Sequence, residues 1–170
     1  MDTGTAIIAL IIILIGVLPF VLMNRKRKRT EKKLLDELTG LAMQNNCRVS
    51  QHQVFSNSVV GLDDTTGRIF FLKATAGGYT KQQVKLSEIE RCRVEKTGIL
   101  VNGGNAVEFD KLDLLFTYRD KKNPEASFCI YNGSTDGTTL TDEIMVAGKW
   151  AKMLTAKIGN KKSIAAKQTA

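Results

Sequence analysis

Eighteen consecutive residues without a charge, Ala6 to Met23 (AIIALIIILIGVLPFVLM), constrain this chain more than any other stretch of it. At helical rise they cover about 27 Å, close to the hydrocarbon thickness of a bilayer, so the run reads as one transmembrane helix. Gly16 and Pro19 would break a helix in water but are tolerated in a span, where neighbouring groups satisfy the freed backbone. The flanks set its direction. Only Asp2 precedes the run, whereas Arg25, Lys26, Arg27, Lys28 and Arg29 follow it, with Lys32 and Lys33 just beyond. A cleaved signal peptide has the opposite order and ends in a small-residue cleavage site, which this run lacks. The positive-inside rule keeps those seven basic residues in the cytoplasm. The expectation is a single-pass protein of the cell (inner) membrane, with residues 1–5 outside and everything after residue 23 inside.

Seven basic residues in this place are first a topogenic signal. Anionic headgroups are a second partner for them, at on the order of 1 kcal/mol for each residue near the surface before screening. Charge elsewhere is unremarkable. The net +8 of the chain comes from its ends: residues 24–33 carry net +6 and residues 157–170 net +4, which leaves residues 34–156 one charge short of neutral. A nucleic-acid role is therefore not expected, since the folded part carries no excess of cations. Cys47, Cys92 and Cys129 are odd in number, far apart and without a C-x-x-C pair, so neither a disulfide framework nor a zinc site is expected, and the pattern suits reduced core thiols.

Beyond the basic run, TEKKLLDELTGLAMQNN places Leu34, Leu38 and Leu41 on one helical face, with Thr30 as cap and Asn45 or Asn46 as stop. The spacing predicts a short amphipathic helix that packs against the domain, so residues 24–46 read as a basic juxtamembrane linker plus that helix. From Cys47 to Tyr131 the period becomes two and β-branched and aromatic residues rise, which predicts six or seven strands. In SVVGLDDTTGRIFFLKA two strands flank the turn at Asp63 to Gly67, pairing Val60 and Leu62 with Ile69 and Phe71. GGYTKQQVKLSEIERCRVEKTG predicts a further strand or two with a bend at Ser87 to Glu90. ILVNGGNAVEF predicts a hairpin turned at Asn102 to Asn105, and KLDLLFTYRD and SFCIY predict further strands. Leu140, Ile144, Ala147, Ala151, Leu154 and Ile158 then recur at helical steps, with Trp150 beside them and Gly159-Asn160 as stop. Residues 159–170 have little to bury and are expected to be a disordered basic tail.

The fold class expected is mainly β with a C-terminal α-helix. This order of meandering strands and a closing helix centred on Trp150, over residues 47–158, resembles the pleckstrin-homology superfold and its bacterial PH-like and GRAM-like members. The resemblance implies a partial barrel of six to seven antiparallel strands closed by the helix, with Trp150 packed into it. It brings no ligand. The phosphoinositide-binding members carry Lys and Arg between their first two strands, where this chain has Phe55-Ser56-Asn57 and then the acidic Asp63 and Asp64. A fold shared by lipid, peptide and protein binders speaks for architecture and not for activity.

Chemistry-bearing residues do not converge in the sequence. His52, the single histidine, sits in the polar SQHQ, and no local motif joins it to Cys92 as base and nucleophile. Gly77-Gly78 and Gly103-Gly104 lack phosphate-loop spacing and read as turns. Glu88, Glu90, Asp110 and Asp113 alternate with apolar residues and read as solvated strand faces. Arg91, Arg93 and Lys96 lie among Glu88, Glu90 and Glu95 with no interleaved aromatic platform. No catalytic, metal or cofactor residues are assigned. The functional expectation is a non-enzymatic, membrane-anchored binding or scaffolding module that meets a cytoplasmic protein. The alternatives are an accessory subunit of a membrane complex, with the transmembrane helix itself as part of the interface and Gly16 and Pro19 as the hint of it, and a membrane-surface enzyme.

Overall fold

A computed structural model describes residues 28–101, 106–120, 122, 125–136 and 143–168. The expected span at residues 6–23, together with Arg25, Lys26 and Arg27, lies outside the described residues. Among the described residues no helix is long and apolar enough to cross a membrane.

Residues 28–44 form helix α1. Thr30, the expected cap, lies inside it, because Lys28 and Arg29 are good helix formers and are already helical. Its far end closes as expected from the asparagines. Asn46 takes a left-handed φ of 55°, and the Asn46 and Cys47 N–H groups donate to the Met43 and Ala42 carbonyls at 3.0 and 2.9 Å. That pair of bonds is a Schellman stop, which satisfies carbonyls the helix would otherwise leave open.

Four strands follow as an antiparallel meander: β1 Gln51–Val54, β2 Ser58–Asp63, β3 Arg68–Thr75 and β4 Gly78–Lys85. The β2–β3 register joins Val60 to Phe71 and Leu62 to Ile69, the pairing read from the alternation. A 3-10 turn at Leu86–Glu88 makes the expected bend and leads into a second antiparallel sheet of β5 Ile89–Val101, β6 Ala106–Tyr118 and β7 Ala126–Asn132. The stretches AVEF and KLDLLFTY, read separately above, belong with Asp110 to one thirteen-residue strand, β6. Its pairing of Ala106 with Val101 continues the hairpin across the expected turn at Asn102 to Asn105, which lies outside the described residues. A one-turn helix α2, Gly133–Asp136, and the long helix α3, Glu143–Gln168, are the last described elements.

Two apolar cores hold these elements. The larger lies between the sheets, where Val60, Leu62, Ile69 and Phe71 face Leu112, Leu114, Phe116 and Phe128. Phe71 and Phe128 stack at 4.9 Å between ring centroids, and Phe116 meets Phe128 edge-on at 4.8 Å. Helix α3 closes this core with Ala147, Trp150, Ala151, Leu154 and Ile158, at the helical spacing seen in the sequence. The Thr155 hydroxyl shares its proton between the Ala151 carbonyl of its own helix, at 2.7 Å, and the Cys92 carbonyl of β5, at 3.2 Å.

The smaller core lies on the other face of the first sheet, where Leu34, Leu38 and Ala42 of α1 cover Val59, Phe70, Leu72 and Cys47. Burial on both faces explains why VVGL and IFFL are continuous apolar runs rather than strict alternations. Gly61 leaves room on the sheet for the Leu38 side chain of α1. A Cβ there would stand 2.6 Å from Leu38 Cδ2 and 3.2 Å from Val49 Cγ1.

The C-terminus departs from expectation. Helix α3 passes through Gly159-Asn160 and runs to Gln168, so residues 159–168 are helical rather than a disordered tail. A single helical glycine costs only about 1 kcal/mol relative to alanine, and the KKSIAAKQ that follows is rich in helix formers.

Candidate functional site

Two places gather charge. The first is the exposed start of α1. Of the seven residues expected to be membrane-facing, the described four, Lys28, Arg29, Lys32 and Lys33, are all exposed on this helix. At 3.6 residues per turn they fall roughly opposite Leu34, Leu38 and Ala42, so burying the apolar stripe on the sheet turns the cations outward. Fold and charge are therefore coupled here through one helix.

The second is a polar seam where the two sheets meet, and alternation alone gave no sign of it. Lys73 ends the apolar run of β3 and is 8% exposed. Its Nζ donates to Asp136 Oδ2 at 2.9 Å and lies 3.8 Å from Cys129 Sγ. Asp136, in α2 just after β7, has a side chain only 3% exposed. It also accepts from the Asn132 N–H at 2.9 Å, Asn57 Nδ2 at 2.8 Å and Thr135 Oγ1 at 3.0 Å. Burial alone would raise its pKa, but the bonds from Lys73, Asn132, Asn57 and Thr135 together hold it below the usual carboxylate range. Next to this cluster, Asp113 is paired with Lys111 at 2.7 Å and lies opposite Cys129 in the β6–β7 register. Asp113 is 4% exposed, which corrects its reading as a solvated strand carboxylate. Ser58 Oγ adds a bond to the Ile130 carbonyl at 3.4 Å. The seam links β2 and β3 to β6, β7 and α2.

The remaining sequence candidates do not converge. His52 is exposed on β1, while Cys92 is buried in the main core with its thiol pushed by desolvation up to about 12, far from a nucleophile's range. Cys47 lies in the smaller core, but Cys129 is only partly buried and borders the polar seam, so the reading of all three as core thiols holds for two. Burial of Cys129 raises its thiol as well, which keeps it protonated despite Lys73 nearby. Arg91, Arg93 and Lys96 are exposed, and Arg93 meets Glu125 at 3.4 Å on the sheet surface. Among the described residues no group of three or more His, Cys, Asp or Glu is placed to hold a metal ion.

Asp63, the last residue of β2, carries a marked electrostatic shift at the turn into β3. Its burial would raise the pKa, yet backbone N–H groups of Arg48, Thr65 and Thr66 donate to it at 3.0, 2.8 and 3.1 Å and bring it down to about 2. This carboxylate fixes the turn and the chain entering β1.

Fold and residues together define a β-rich domain of two antiparallel sheets, four and three strands, with a C-terminal helix packed on them. Compared with protein-family models, curated proteins and solved structures, the chain matches none of them.

Proposed function

We propose that this chain is a non-enzymatic, single-pass module that tethers a domain of PH-like architecture to the cytoplasmic face of the cell membrane, where it binds or scaffolds a cytoplasmic protein. The observation that carries the reading is the order of the N-terminal residues. An uncharged run long enough to span is followed at once by the basic cluster and then by α1, whose apolar stripe belongs to the domain's own core. A tether of this kind places the domain beside the bilayer and holds it there. The meander of four and three strands, with Trp150 of the closing helix buried against them, supports the PH-like architecture. That architecture serves protein, peptide and lipid binding alike. The near-neutral balance of residues 34–156 favours a protein over a polyanion as the partner of the domain.

Crosslinking in intact membranes, followed by co-purification at native expression, tests the reading. A reproducible partner is the expected result, and recovery of the chain alone argues strongly against a scaffold. Protease added outside sealed spheroplasts tests the orientation. The domain is expected to survive, and its digestion would reverse the topology.

A further inference from the structure

The outer face of α1 is not uniformly charged, and its polarity runs along the helix axis. Lys28, Arg29, Lys32 and Lys33 occupy its first described turns, all exposed and within an arc of about 140° around the axis. Glu31, the one acidic residue within these turns, falls toward the sheet side and is only partly exposed. The next residues on the outer face are acidic: Asp36 is exposed, and Glu37 holds Lys81 of β4 at 3.1 Å. Along the axis the centre of the basic group stands about 9 Å from the centre of the acidic pair. That separation is close to one screening length at physiological salt, so a charged surface feels the two groups separately.

We infer that the exposed basic turns of α1 are a docking face for an anionic phospholipid bilayer, and that this face holds the domain tilted on the membrane with Asp36 and Glu37 lifted from the headgroups. Charge complementarity selects the occupant, and the uncharged residues 6–23 just ahead of the face bring it there. Because the opposite side of α1 is built into the sheet through Leu34, Leu38 and Ala42, contact at this face orients the whole domain rather than a loose linker. The inference rests on the tethered reading and adds to the headgroup contact expected from the sequence a defined face of the folded domain and an orientation.

The test uses the full chain in nanodiscs of phosphatidylcholine, alone or mixed with phosphatidylglycerol. Brief treatment with an amine-acylating reagent, read by mass spectrometry, gives the rates at Lys28, Lys32 and Lys33 relative to exposed Lys85 and Lys152. Phosphatidylglycerol is expected to lower the three relative rates by about threefold or more, and about 1 M salt, which shortens the screening length to about 3 Å, should restore them. Equal rates on the two discs overturn the docking face. The variant Asp36→Asn, which leaves the Glu37–Lys81 pair intact, is expected to lower the rates further on phosphatidylglycerol, and no change removes the tilt. A chain that stays out of the discs defeats the tether separately. Flotation with phosphatidylglycerol vesicles then reads the face directly, and failure to float overturns it. Stronger protection of the same lysines by duplex DNA than by phosphatidylglycerol would overturn it in favour of nucleic acid.

Discussion

Asp63 and Gly61 show how much one residue contributes to this fold. Asp63 keeps its charge while 2% exposed because three peptide N–H groups converge on it. Its folded pKa of about 2 lies below the ordinary 3.8, so the folded state binds its proton less readily than the unfolded chain does. The stabilisation is fully present above about pH 4 and is lost as the pH falls toward 2, amounting to about 2 kcal/mol. Asp63→Asn is expected to destabilise the domain by about 1–2 kcal/mol at pH 7 and by much less at pH 2, as read by denaturant unfolding at both pH values. Gly61 acts through space alone. Its missing Cβ makes room for Leu38, so Gly61→Ala should cost about 1–3 kcal/mol by overpacking. Leu38→Ala should cost about 2–5 kcal/mol by leaving a cavity. The double variant is expected to cost less than the sum, because the truncated Leu38 leaves the space that the added methyl needs; strict additivity in a double-mutant cycle would show that the two do not share that space.

At the scale of elements, the seam between the sheets depends on a buried ion pair whose partners lie 63 positions apart in the chain. Asp136→Ala removes the acceptor for Lys73, Asn57 and the Asn132 N–H together, and strands a buried ammonium. We expect a loss of about 3–5 kcal/mol in thermal or denaturant unfolding. Lys73→Met combined with Asp136→Ala should recover part of that loss, since a methionine in the same space leaves no unpaired charge; a double variant as unstable as Asp136→Ala would mean that Lys73 is not what Asp136 neutralises. The exposed pair of Lys157 with Asp64, at 2.6 Å, is a different case, and Lys157→Gln is expected to change stability by less than about 0.5 kcal/mol. Strand pairing was legible because it is local. Val60 and Phe71 are joined by a turn only a few residues long, and their alternation already states which face they share. The seam was not legible, because Lys73 follows Ile69 to Leu72 like any residue at the end of a strand and nothing near it in sequence names Asp136. Asp113 was misread for a related reason: alternation puts it on the face opposite the larger core, yet it is buried there beside Lys111 and opposite Cys129.

For the whole molecule, the first sheet is a shared wall between two cores, and α1 is its cover. Leu38→Asp would place a charge among Val59, Phe70 and Leu72 and displace α1 while the larger core keeps its own contacts. The expected outcome is a folded but self-associating protein, because the uncovered strand face is apolar. It would be read as retained Trp150 burial by fluorescence together with oligomers in light scattering. Complete loss of the Trp150 environment would instead mean that the two cores fold only as one unit.

By itself the sequence determined the order of the elements, the hairpin register, the apolar stripes of both long helices and the asparagine stop of α1, since each is written within a dozen or so adjacent residues by periodicity, turn residues and caps. The tertiary structure alone decided that the first sheet is buried on both faces, that Gly61 must stay small, and that Lys73, Asp136 and Asp113 are buried together. Those features come from elements far apart in the chain meeting in space, where burial, and not local pattern, sets the energy of a charge or a methyl group.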